Sequence, residues 1–249
     1  MEDLTHEGQP QAVAILVVAV VLPELHDRLV GENGPEVVPG LADELESGEF
    51  PPMDEKTLGV ANASEGVDKI FLWAGYENDI EHSEATASLR SRAVNAHIDM
   101  FVGNRTRRLT VEADHGQVAR RFLAYGYKPI RERANKTVLS LHRDDALQGS
   151  DLVSQRLFSY DPPVLGFTAV QRDILLLARQ GYTDQEIAAS LGKSPDSVKK
   201  RWAGIYARFA QVFPGRLPVS SDGSRGAEKR RTLLAYLRDR PEELRPYGA

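Results

Sequence analysis

FTAVQRDILLLARQGYTDQEIAASLGKSPDSVKKRWAGIYARF, residues 167–209, reads as three short helices of which the third is basic. Thr168, followed three places later by Gln171, has the spacing of a capping box, and Ile174, Leu175 and Leu177 give the first helix one buried face. Gly181 stops it where a left-handed backbone is cheap, and Thr183 with Glu186 repeats the box for the second helix. Ile187, Ala188 and Leu191 supply that helix's inner face, with Ala188 and Ala189 small enough for a crossing helix to approach. After Gly192, Ser194 is a third N-cap, and Pro195 takes the first helical position, where no N–H is needed. Val198, Trp202, Ile205 and Phe209, at spacings of four, three and four, form an apolar stripe that leaves Lys199, Lys200, Arg201 and Arg208 on other faces. A helix braced by two others, with cations on its free side, is what the major groove of DNA accepts.

Thr168, the run Gln171 to Leu175, the run Gly181 to Ala188 and the pattern from Ser194 to Lys199 resemble the helix-turn-helix of LuxR-type (GerE-like) bacterial transcription regulators. The resemblance covers residues 167–209 and implies an all-α helix-turn-helix domain over 167–212. It implies double-stranded DNA as partner, bound as a homodimer on a pseudo-palindrome. Lys199 and Lys200 are then expected at base edges or adjacent phosphates, and Arg201 and Arg208 on the DNA backbone. Thr183 would hold a phosphate at the second helix's N-terminus, and Ser194 and Ser197 belong to the DNA-facing end of the third. The run Val198-Lys199-Lys200-Arg201 also resembles region 4 of sigma factors, since Arg201 stands where LuxR-type proteins usually have His. The alternative is therefore a sigma-like factor recruiting RNA polymerase.

The net charge of −5 over 249 residues conceals a segregation. Residues 1–100 hold 5 Lys/Arg against 20 Asp/Glu, whereas residues 160–249 hold 15 against 10. Phosphate binding depends on the local cation field, so the acidic total does not argue against a DNA reader. The absence of cysteine removes disulfides and thiolate chemistry and is compatible with a reducing cytoplasm, the expected location. Ala12 to Leu22 is apolar for 11 residues, short of the roughly 20 that a membrane helix needs, and is expected to be a central strand, with no membrane partner.

Ahead of the basic stretch, Pro23–Val30 and the segment around Leu41 and Leu45 read as short helices, and Val67–Tyr76 as a strand or a buried helix end. Trp73 and Tyr76, with Asp79 nearby, are the candidates for lining a small-molecule effector pocket. Residues 80–102 read as a helix with Leu89, Ala93, Ala96 and Met100 on its inner face, ended by Gly103-Asn104. Residues 107–113 then read as a strand, 114–125 as a helix capped by Asp114, and 136–142 as a strand. Strand, helix and strand make an α/β unit that resembles the last part of acetyltransferase-like folds, with Tyr125-Gly126-Tyr127 at the turn but without their Gly-rich phosphate loop.

The expected fold is thus an α/β N-terminal domain plus an all-α C-terminal helix-turn-helix domain. Its parts are a regulatory or sensor domain at 1–148, a linker at 149–166, the DNA-binding domain at 167–212, and a loop with a basic helix at 213–249. That last helix carries Leu233, Leu234 and Leu237 as a strip for packing or dimerisation. No Ser/His/Asp triad, metal cluster or P-loop is found, so no catalytic residue, metal or cofactor is expected, and the chain is read as a regulator rather than an enzyme. An α/β enzyme with a DNA-tethering tail is the remaining alternative.

Overall fold

The computed structural model describes residues 2–3, 11–12, 14–49, 53–76, 95–96, 98–218 and 225–248. The chain divides into two compact units, Met1–Tyr160 and Asp161–Ala249. The first is built on a five-stranded sheet with spatial order Ala14–Val21, Val67–Tyr76, Thr106–Asp114, Lys136–His142, Lys128–Arg133. Val67–Tyr76 and Thr106–Asp114 run parallel, and the other neighbours are antiparallel. Ala14–Val21 is therefore an edge strand of the described sheet and not the central strand expected from its Val and Ile content. High β-propensity reports a pleated, buried surface, which an edge strand under a helix also has.

Both faces of the sheet are covered. Val138 packs with Leu25, Leu29 and Val30 of the helix Pro23–Val30 and with Val37 and Leu41 of the helix Val37–Ser47. Leu139 and Leu141 point the other way, to Ala119 of the helix Gln117–Ala124, Ala146 of Arg143–Gln148, and Leu157 and Phe158 of Leu152–Phe158. Successive strand residues face opposite sides, so an unbroken apolar run is what a doubly covered sheet demands.

Several local readings change. The helix Glu55–Ala63, capped by Asp54 accepting from Thr57 N at 2.7 Å, is one that the sequence reading did not assign. Asp114 closes its strand, and Gly116, at φ 112°, caps the following helix. Leu89 and Ala93 lie outside the described residues; of the same expected face, Ala96 and Met100 are exposed, while Ile98 and Phe101 enter the core. The stretch read as linker holds the helix Leu152–Phe158, whose Phe158 is fully buried.

The second unit contains the helices Ala169–Arg179, Asp184–Ser190, Pro195–Val212 and Arg225–Asp239 and a 3-10 turn at Pro241–Leu244. The expectation of an α/β domain plus an all-α helix-turn-helix domain at 167–212 is corrected here. The chain is a mixed α/β fold on one five-stranded sheet with helices at its C-terminal end, and residues 167–212 do not close a core of their own. Leu165 precedes that span, and Leu217, Leu233, Leu237 and Leu244 follow it, yet all five are buried among Ile174, Leu175, Ile187, Trp202, Ile205 and Phe209. Glu243 seals the arrangement, accepting from Leu165 N at 2.9 Å and Tyr236 Oη at 3.0 Å. Leu233 and Leu237 are consumed internally, so the expected strip serves packing.

A polar cluster lies under the helix Pro23–Val30. His26 Nε2 meets Thr110 Oγ1 at 2.8 Å, and Thr110 donates on to Ser140 Oγ at 2.9 Å. Its Nδ1 faces Asp27 at 3.5 Å and Asp68 at 3.8 Å. Burial, reinforced by Arg108 and opposed by Asp68 and Asp27, pushes the His26 pKa down to about 4. Unfolded histidine, with its ordinary value near 6.5, takes a proton long before folded His26 does. The linked stability is complete above about pH 6.5 and drains as the pH falls toward 4, by roughly 3 kcal/mol. Urea unfolding across that window is expected to show the loss in the wild type and a visibly flatter profile in His26→Asn; parallel profiles would refute the assignment.

Candidate nucleic-acid interface

The three N-caps form as the residues dictate. Thr168 Oγ1 accepts from Gln171 N while Gln171 Oε1 accepts from Thr168 N, and Thr183 and Glu186 repeat the exchange. Ser194 Oγ accepts from Ser197 N at 3.2 Å, with Pro195 in the first turn. Each cap satisfies helix N–H groups that lack an intrahelical partner and fixes where the next helix starts. Gly181 and Gly192, at φ 92° and 60°, make the two turns in the backbone region that glycine favours.

Val198, Trp202, Ile205 and Phe209 are all buried on one side of Pro195–Val212. Lys199, Lys200 and Arg201 are exposed in succession on the remaining surface. The seven expected contact residues do not share one role. Thr183 has its N–H and its hydroxyl both engaged with Glu186, donating at 2.7 and 2.8 Å, so its side chain is occupied in capping. The Ser194 side chain caps in the same way, and Ser197 is half-buried in the first turn. Arg208 Nε donates to the carbonyl of Leu165, and Arg172 NH1 donates to that of Phe167 at 2.6 Å. These two guanidinium groups hold the entering strand of chain against the helices. Arg208, the cation expected on the DNA backbone, is exposed and also braces the incoming chain through its Nε.

Sequence reading also missed a cluster at the second helix's N-terminus. Asp184 Oδ1 accepts from Trp202 Nε1 at 3.1 Å and from Arg230 NH1 at 2.9 Å. Arg230 NH2 reaches Tyr182 O at 2.7 Å, and its guanidinium lies 4.9 Å from the centre of the Trp202 ring. Arg230 is 46 residues from Asp184, and no short-range pattern signals the pairing.

In the first unit, Trp73 and Tyr76 lie on the strand Val67–Tyr76, but their side chains and all of Asp79 fall outside the described residues. The described pairing of this strand with Thr106–Asp114 runs from Val67↔Thr106 to Phe71↔Val111, while on its other side Trp73 and Tyr76 pair with Val17 and Ala14. Among the described residues no helix is long and apolar enough to cross a membrane.

No family model matches the chain. A segment of 74 residues is 31% identical to 4-hydroxy-tetrahydrodipicolinate synthase of Pediococcus pentosaceus, covering 29% of this chain and 25% of that protein. The chain thus matches about a quarter of the length of that relative.

Proposed function

We propose that the chain is a DNA-binding transcriptional regulator of LuxR type that reads promoter DNA with the helix Pro195–Val212 in the major groove. The observation that supports this is the exposed succession Lys199, Lys200, Arg201 outside a fully used apolar stripe, with Lys200 opposite it and the other two on its flanks. Cations in that position have no packing task, and a helix of 18 residues braced along one side offers its other side to a groove about 12 Å wide. Reading a pseudo-palindrome takes two copies, so the active species is a homodimer. Residues 1–160 form the regulatory part, with a small-molecule effector taken up at Trp73, Tyr76 and Asp79. The test is a titration of a labelled mixed-sequence duplex with the full chain over a series of salt concentrations. Binding whose logarithm falls linearly with log salt is expected, and no binding at low salt ends this reading.

The partial likeness to a synthase favours a second reading, in which the chain is an enzyme; its five-stranded α/β unit would then do the chemistry while the C-terminal helices tether it to DNA. Its discriminating observation is formation of 4-hydroxy-tetrahydrodipicolinate by the full chain, abolished by changes in residues 1–160 and indifferent to Lys199 and Lys200.

A further inference from the structure

The helix Asp184–Ser190, which packs beside the proposed DNA-reading helix, begins with a carboxylate. Asp184 is the first residue of that helix, and its side chain is nearly half exposed. A negative charge there suits the helix dipole but opposes an approaching phosphate, two effects of opposite sign at one place. Arg230 resolves the conflict. It binds Asp184 Oδ1 at 2.9 Å and Tyr182 O at 2.7 Å while lying over Trp202, the residue whose indole N–H also donates to Asp184. One turn and three helices are thereby tied at one point.

We propose that Arg230 is a positioning residue for DNA binding: it neutralises Asp184 and ties it to Trp202 of the helix Pro195–Val212, so that the exposed lysines of that helix meet the duplex in one orientation with no uncompensated carboxylate beside them. The inference rests on the DNA-binding reading above. Arg230 comes from the helix Arg225–Asp239, which is seated by Leu233 and Leu237, both fully buried, and by Tyr236 against Phe209 at 5.3 Å between ring centres. Its anchorage is therefore independent of the Asp184 contact. The guanidinium reaches a carboxylate and a carbonyl with two different nitrogens, a division that a lysine ammonium makes less well. The C-terminal helix is in this way a working part of the interface.

The experiment uses the full chain and a labelled mixed-sequence duplex, with Arg230→Gln, Arg230→Lys, Asp184→Asn and the double change Asp184→Asn with Arg230→Gln. The amide in Asp184→Asn keeps an oxygen for the Trp202 N–H and loses only the charge. Arg230→Gln is expected to weaken binding roughly fivefold at low salt, with less effect as salt screens the freed carboxylate. The double variant is expected to return to near wild-type affinity, because the repulsive charge is gone, and Arg230→Lys to lie between. A purely structural arginine would show no such rescue. Wild-type affinity in Arg230→Gln, or an equal loss in the double variant, overturns the proposal. Should Arg230→Gln fail to fold, Arg230→Lys against Asp184→Asn carries the same comparison. If the wild type binds no duplex, the DNA reading itself has failed; if it binds and only the Arg230 series is flat, this inference alone has failed.

Discussion

Asp68→Ala is expected to cost the first unit about 3–5 kcal/mol, the usual consequence of removing one member of a buried ion pair. Asp68 is completely buried on the strand Val67–Tyr76 and accepts from Arg107 at 3.0 and 2.6 Å and from Arg108 at 2.5 Å. Burial alone would raise its pKa, and the hydrogen bonds from the two guanidinium groups more than reverse that, so the carboxyl sits below the usual range. Without it two half-covered cations face each other, and only Asp27, itself mostly exposed, and Glu65 are left to Arg108 and Arg107. Asp68→Asn keeps the shape but turns an N–H₂ toward one arginine, so it too is expected to be strongly destabilising. Amide exchange in the strand Thr106–Asp114 under increasing urea separates this unit's unfolding from that of residues 161–249. A shift of under about 1 kcal/mol in both variants would mean that the cluster is solvated in practice and contributes little. Pairing Asp68→Asn with Arg108→Met should give a coupling of roughly 0.5–3 kcal/mol, since both side chains share one network.

What could be read from the sequence and what could not divides along range. The caps at Thr168, Thr183 and Ser194 and the stripe from Val198 to Phe209 involve partners at most four residues apart, so their chemistry is written in the local spacing. The strand Lys136–His142 and the helix Pro23–Val30 were legible for the same reason. The pairing of Thr110 with Ser140, the hold of Arg208 on Leu165 and that of Arg230 on Asp184 span 30, 43 and 46 residues, and no spacing rule reaches so far. Lys128–Arg133 was invisible as a strand because five of its six residues are charged, proline or otherwise exposed, and only Arg131 turns inward. That arginine donates to the carbonyls of Gly31, Gly34 and Pro35, so its edge strand is secured by polar bonds that hydrophobic periodicity does not register. The extent of the C-terminal core was misjudged for a related reason. A three-helix motif looks self-sufficient until Leu233, Leu237 and Leu244 are seen to fill it. The candidate interface fared unevenly: exposure of Lys199, Lys200 and Arg201 follows from helical phase, whereas the diversion of Arg208 to Leu165 depends on where the incoming chain lies.

Lys199→Ala together with Lys200→Ala is expected to produce the largest loss of DNA affinity available without unfolding the protein. Both side chains are exposed, and the fold of the helix relies on the apolar stripe, so the double variant should melt within about 0.5 kcal/mol of the wild type. If each lysine neutralises one phosphate, the slope of log affinity against log salt falls by about 0.9 for each, and the affinity at 0.1 M salt by roughly eightfold for each relative to that extrapolated to 1 M. Contacts to base edges would add a sequence-dependent part, seen as a narrowing of the gap between a selected site and mixed-sequence DNA. Arg208→Ala provides the contrast. Because its guanidinium is bound to Leu165, its removal should lower the melting temperature and leave the salt slope where it was. A reversed result, with the slope carried by Arg208 and untouched by the two lysines, would mean that DNA meets a different face of the second unit. A slope unaltered by all three would leave the exposed cations as a solvated surface and remove the support on which DNA reading rests.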